Sequence, residues 1–323
     1  MSLKEQWRRL KWSLMSEKKK QKLLDEACNL MRLWPETSEL LDLARAQGVG
    51  IRFDDSLEPT DTDGIYHRNR TTGECYIGLK PRLDPRDIAI PLIHELRHLW
   101  QEKQLGLTPE TAGLCEKDAR MALIVTRVKE ADAFAFTDLM IGRMNNALQD
   151  ARDARALEKK LLAQAGLKQP TPALEEQVED FLADRIVARI AGEKKKMEEN
   201  FLKHLKTLDS YDAIAASGYF SRYIYPAVSN LKHLTEKDGP VVGVPEVRRL
   251  LKTGVMESMP PYLDGPGNGE FADMVLAGVK PGVLEAVSLI DAFEKAAARG
   301  LPAKEAQEKR AELREKVAAA LKR

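Results

Sequence analysis

The sequence predicts an α+β chain that is mostly helical, with one small strand element on its N-terminal side. Three observations carry this. Apolar residues recur at helical spacing over 31–48, 85–105 and 109–146, and again in charged segments beyond 151. Alternating apolar residues bounded by turn signals fall between residues 49 and 79. The most apolar of the helical segments holds His94-Glu95-Leu96-Arg97-His98, an arrangement that makes chemical sense only on a helix.

Residues 1–24 read as a basic helical arm, in which Trp7, Leu10, Trp12, Leu14 and Met15 interleave with Arg8, Arg9, Lys11 and Lys18-Lys19-Lys20. The preferred reading packs its tryptophans on the body; the alternative is an arm for a membrane surface or nucleic acid. Met31 to Gly48 reads as one helix, with Leu40, Leu41, Leu43 and Ala44 as its core and Gly48 as its stop. Val49-Gly50-Ile51-Arg52-Phe53 alternates like a half-buried strand. Gly64 to Arg68 and Glu74 to Leu79, joined through Asn69-Arg70-Thr71-Thr72-Gly73, form a hairpin. His67, on its first strand, is either an extra ligand or oxyanion donor, or a solvent-facing strand histidine.

The helix that follows has clear ends. Asp84 is its N-cap, Pro85 takes the first helical position, Asp87 sits in the first turn and Gly106 closes it. Pro91 removes one hydrogen bond and is expected to kink or restart the helix. Positions i and i+4 share a face, so His94 and His98 can reach one zinc ion, and Glu95 stands beside them as a candidate general base. The bland alternative is a core helix with hydrogen-bonded histidines. It is disfavoured because buried histidines and a buried glutamate are costly without something to bind.

A zinc hydrolase needs a third protein ligand and an open position. The helix from Pro109 to about Asn146 is the expected source. Its stripe Met121, Ile124, Val125, Val128, Ala131, Ala135 and Leu139 should face the core, with Asp132 in the stripe and Glu130 at its border. Surface pairing of Glu130 with Arg127 or Lys129 is the plain alternative.

The order of strand pair, H-E-x-x-H helix and a second helix bearing Glu130-Ala131-Asp132-Ala133-Phe134-Ala135 resembles the small gluzincin metallopeptidases. These include regulators that cleave repressors, the membrane CAAX proteases, and an uncharacterised bacterial metallopeptidase group with H-E-L-R-H-x-W-Q and E-A-D-A-x-A strings, which this chain matches most closely. The resemblance covers about residues 25–145. It implies a zincin-like core with His94 and His98 as zinc ligands, Glu95 as general base and a peptide or protein as substrate. In better-known relatives the ligand glutamate stands four residues before the aspartate or asparagine of the second motif, which falls here on Val128. Valine cannot bind zinc. Glu130 in a shifted register, Asp132 directly, or loss of zinc binding are the three ways out, with Glu130 favoured on reach.

From these signals the chain divides into the arm, a zincin-like core over 25–148 and a helical region over 149–323. That last region begins with an amphipathic helix over 151–165, a linker from Gly166 to Pro172 and charged helices to about Leu208. Tyr211 and the cluster around Tyr219 and Tyr223 are candidates to donate to an oxyanion or touch substrate, against the commoner role of aromatic packing. The loop Pro260 to Glu270 lacks the G-K-[ST] of a phosphate loop. With 51 Lys and Arg against 50 Asp and Glu in 323 residues, bulk charge gives no case for nucleic acid. Cys28, Cys75 and Cys115 are far apart and form no C-x-x-C, which fits a reducing compartment and argues against structural zinc bound by thiolates. No run of eighteen apolar residues and no targeting signal is visible, so a cytoplasmic location is expected. The sequence thus points to a soluble zinc metallopeptidase, or to a catalytically degenerate zincin-like module that regulates or binds a partner.

Overall fold

The structure is a computed structural model that describes residues 3–68, 74–105, 119–209, 211–212, 268–298 and 303–322. Its elements follow in the order α1 (Leu3–Ser13), α2 (Glu17–Met31), α3 (Pro35–Ala46), β1 (Gly50–Phe53), β2 (Gly64–Arg68), β3 (Cys75–Leu79) and α4 (Pro85–Leu105). After these come α5 (Ala119–Ala165), α6 (Pro172–Leu205), α7 (Asn268–Leu276), α8 (Pro281–Ala298) and α9 (Ala303–Ala320). The described chain is therefore mostly helical with one three-stranded sheet, as the periodicities predict. The expected start of the second helix at Pro109, together with Cys115, Tyr219, Tyr223 and most of the glycine-rich loop, lies outside the described residues.

Pro35 divides the segment expected as a single helix from Met31. It has no N–H to donate, and it forces Trp34 into an extended conformation, φ −124° and ψ 132°, so α2 stops at Met31 and α3 starts afresh. In the sheet β3 is central, with β1 parallel to it from Gly50 opposite Tyr76 to Phe53 opposite Leu79. β2 runs antiparallel on the other side, from Gly64 opposite Leu79 to Arg68 opposite Cys75, which leaves β2 as an edge strand. Of the two arm tryptophans only Trp12 packs on the body. Its indole donates to Asp55 at 3.0 Å and its ring meets Phe53 edge-on, while Trp7 stays 58% exposed.

α4 is the centre of the core. The carboxylate of Asp84 accepts from the Arg86 amide at 2.8 Å, capping the helix as expected, and Ile88, Ala89, Leu92, Ile93, Leu96 and Leu99 are fully buried. The helix passes through Pro91 without a break. α2, α3, the sheet and α5 pack around it.

α5 extends for 47 residues and crosses 148–149 without interruption, because no glycine or proline stands between Gly142 and Gly166. Gly166 ends it with φ +66°, and the Leu167 amide donates back to the Leu162 carbonyl at 3.0 Å, the six-to-one closure of a glycine-terminated helix. Pro172 then opens α6, which returns antiparallel along α5: Arg143 pairs with Glu193, Arg185 with Asp153 and Arg189 with Asp150. Among the described residues no helix is long and apolar enough to cross a membrane.

Candidate metal centre

The i, i+4 spacing on α4 brings the Nε2 atoms of His94 and His98 to 3.1 Å. Glu130 of α5 completes the group, with Oε2 at 3.4 Å from His94 Nε2 and Oε1 at 3.4 Å from His98 Nε2. A tetrahedral zinc with bonds of about 2.0 to 2.1 Å holds its ligand atoms about 3.3 to 3.4 Å apart, so the two imidazole nitrogens and the Glu130 carboxylate, one oxygen toward each ring, stand at spacings close to those of such a shell. Glu130 Oε2 and His94 Nδ1 are buried without a hydrogen-bond partner, and a carboxylate oxygen left without a hydrogen bond opposite the His94 imidazole fits a cation. Among the described residues this is the one group of His, Cys, Asp or Glu close enough to hold a metal ion.

The helical period explains why Glu130 and not Asp132 faces the histidines. Residues two apart on α5 are turned about 200° from each other. Glu130 and Phe134, one turn apart, look toward His94, whose ring lies 4.4 Å from that of Phe134. Asp132 and Phe136 look toward Arg97. Asp132 accepts from Arg97 Nε at 2.8 Å and Nη2 at 2.9 Å, both side chains being fully buried, and the guanidinium lies 4.7 Å from the Phe136 ring. Val128 is fully buried in the core.

Asp132 still acts on the site through Gln101, which sequence reasoning passed over. Gln101 Nε2 donates to Asp132 Oδ2 at 2.7 Å and to the Lys129 carbonyl at 2.9 Å. With its NH₂ committed, its Oε1 must accept, and the group 2.9 Å away is His98 Nδ1. His98 therefore carries its proton on Nδ1 and offers the Nε2 lone pair to the cluster. The signal was present, since Gln101 stands one turn after His98.

Glu95 is turned toward the sheet. Its Oε2 accepts the Tyr66 amide of edge strand β2 at 2.7 Å, and Gly64 makes room for it, since a Cβ there would stand 2.9 Å from Glu95 Cγ. His67, next along β2, is exposed, its ring tilted against that of Tyr76 at 5.0 Å; the His-His-Glu group does not include it. Tyr66 sends its hydroxyl to Glu102 at 2.9 Å.

Charges around the cluster reinforce each other. Burial penalises the Glu130 carboxylate, but the two histidines outweigh this and hold its pKa far below the ordinary range. Burial likewise opposes protonation of His98, and Glu130 reverses it, so the imidazole is raised above its usual value. Burial lowers the Lys129 ammonium, against the opposing pull of Glu130, Glu102 and Glu95. Burial and the same carboxylates Glu130 and Glu95 push the Tyr211 phenol up to about 12.

Residues 8–157 match a family described as "Putative metallopeptidase family (DUF6782)". The match takes in α4, Glu130 and most of α5, and it supports a peptidase-like enzyme that uses a metal ion. It ends before α6, so just over half of the chain lies beyond it. Comparison with curated proteins and with solved structures finds no match.

Proposed function

We propose that the protein is a zinc-dependent metallopeptidase, and the observation that carries this is the convergence of His94, His98 and Glu130 beside Glu95. Two imidazoles and one carboxylate are a zinc donor set, and they leave a fourth position for water or a peptide carbonyl. Zinc held there supplies a Lewis acid that polarises the carbonyl and makes water acidic near neutral pH.

The chain's own groups do the rest. Glu95 follows a ligand yet is turned about 100° around α4, so it lies beside the metal position and not in it. It takes the proton from the attacking water and passes it to the leaving amine. In the resting arrangement the Tyr66 amide fixes the Glu95 carboxylate at 2.7 Å, and the same edge strand β2 lies next to the position a peptide would take. The substrate class is a peptide or protein chain.

Elemental analysis of zinc-reconstituted protein should find about one zinc per chain, lost in His94→Ala. Glu95→Gln should retain fold and zinc and lose at least about 100-fold in hydrolysis of a mixed peptide library. Equal rates in wild type and Glu95→Gln, or a wild type that binds a partner tightly and cleaves nothing, would favour the degenerate interaction module.

A further inference from the structure

Tyr211 stands just after α6, beyond the residues that match the peptidase family, yet it lies near the His-His-Glu group. Its ring meets Phe134 edge-on at 5.9 Å, and Phe134 in turn packs on His94 at 4.4 Å. Glu130 and Glu95 are both near enough to act on its phenol, which stays protonated at neutral pH. Among the described residues its hydroxyl has no hydrogen-bond partner, although the side chain is partly buried. A half-buried phenol beside a metal cluster with an unused O–H is a donor awaiting an acceptor.

A buried clamp explains how it reaches this position. Arg127 lies on α5 nearly one turn before Glu130 and is fully buried. Its guanidinium pairs with Asp212, the neighbour of Tyr211, and donates to the carbonyls of Leu205 and of Val275 at the end of α7. Gly278 permits the approach, because a Cβ there would stand 3.0 Å from the Leu205 carbonyl oxygen and 3.2 Å from Arg127 Nη2. The Asp212 amide closes a turn on the Leu208 carbonyl at 2.9 Å. One buried cation thus fastens the Tyr211 segment to the helix that carries Glu130.

We propose that Tyr211 is a catalytic residue supplied by the helical region, its hydroxyl donating a hydrogen bond to the oxyanion that develops on the scissile carbonyl, with Arg127 and Asp212 as its positioning residues. The proton stays on the tyrosine oxygen throughout; water's proton goes to Glu95 and then to the leaving amine. The inference rests on the metallopeptidase reading.

Two readouts test it on the full chain. With 3-fluorotyrosine incorporated, cobalt(II) bound in the cluster should shift and broaden a fluorine resonance that is missing in Tyr211→Phe. In zinc-loaded protein acting on casein and a mixed fluorogenic peptide library, Tyr211→Phe should keep its metal and lose about 10²- to 10³-fold in kcat, with KM changed far less. Asp212→Asn keeps the shape of the clamp and should reduce both kcat and the cobalt effect on the Tyr211 resonance. A purely structural role would instead lower its melting temperature and leave that resonance alone. A wild type that cleaves while Tyr211→Phe cleaves as fast, or a Tyr211 resonance untouched by cobalt, overturns this inference alone. A wild type that binds no metal, or binds it and cleaves nothing, overturns the peptidase reading first.

Discussion

The two halves of α5 use charge in opposite ways. Between Leu123 and Met144 the helix is largely enclosed, and its ionic groups are committed inside the protein: Glu130 to two histidines, Asp132 to Arg97 and Gln101, Arg127 to Asp212. Beyond residue 148 the same helix is a solvated strut, where Arg185 and Arg189 of α6 reach Asp150 and Asp153 with arginine side chains about one-third exposed. Buried ions carry a desolvation cost that only dense pairing offsets, whereas exposed pairs are nearly free to make and to lose. Chemistry is therefore expected in the enclosed half and length or leverage in the other.

The contrast is sharpest in metal binding. On the proposed ligand set Glu130→Ala should weaken zinc by well over 100-fold, while Asp132→Ala, acting through Gln101 and His98, should stay within about 10- to 100-fold. Asp132→Ala should nevertheless be the more destabilising, by about 3–5 kcal/mol, because it strands the Arg97 guanidinium in the core. Competitive chelator titration and chemical denaturation of both variants check this. If Asp132→Ala abolished zinc while Glu130→Ala retained it, the assignment of the ligand face of α5 would be reversed.

Acid should strip the metal gradually. Burial disfavours the His98 imidazolium, but Glu130 outweighs burial and raises its pKa, so protons compete with zinc from somewhat above the ordinary histidine value of about 6.5. Zinc affinity should be greatest in mildly alkaline solution and should fall as the pH drops through that region. Isothermal titration at several pH values measures it; a constant affinity from pH 8 to 5.5 would mean that these imidazoles are not the ligands.

How far these features could be read in advance depends on how local their causes are. The cap at Asp84, the hairpin strands, the convergence of the two histidines and the end of a helix at Ala165 each follow from a few neighbouring residues, and the structure has them where the sequence places them. Which carboxylate of Glu130-Ala131-Asp132 meets the histidines depends on the rotation of α5 against α4, a tertiary quantity that apolar spacing leaves open for a residue at the stripe's border. Gln101, Gly64 and the Tyr66 amide were missed because their roles arise from contacts across 29 to 31 positions or from a missing side chain. Tyr211 was legible as one of several tyrosines that could serve an oxyanion, but which of them would reach the site was not, since its place beside Phe134 is set by the Arg127 clamp. The break at Pro35 was a local signal, and the apolar residues on both sides masked it.

Gly64 tests whether the enclosed region tolerates even a methyl group. A Cβ at 2.9 Å from Glu95 Cγ forces the carboxylate to move, and no charge or ligand is altered. Gly64→Ala should keep stoichiometric zinc and lose roughly 10- to 100-fold in kcat, since misplacing a catalytic group by about 1 Å has that order of effect. Unchanged kcat would show that Glu95 works from a position other than the one Tyr66 fixes.

The smallest effect is expected where α5 and α6 run together beyond residue 148. Hydrogen bonds from Arg189, with burial opposing, hold the Asp150 carboxyl below the ordinary aspartate range. A depressed carboxylate pKa contributes stability that is fully present above the unfolded value of about 3.9 and is lost as the pH falls through the folded value. Asp150 is itself buried, but its arginine partners are about one-third exposed and bring solvent and salt to the pair, so Asp150→Asn should cost about 1 kcal/mol or less at neutral pH. The difference between Asp150→Asn and wild type should shrink with added salt and vanish only once the pH has fallen below the depressed folded value, where both are uncharged at this position. Zinc content and peptide hydrolysis should be unchanged. A loss of metal in Asp150→Asn, measured beside its denaturation curve, would show that the outer part of α5 and α6 is coupled to the centre after all and that the division of α5 into an enclosed working half and a solvated strut does not hold.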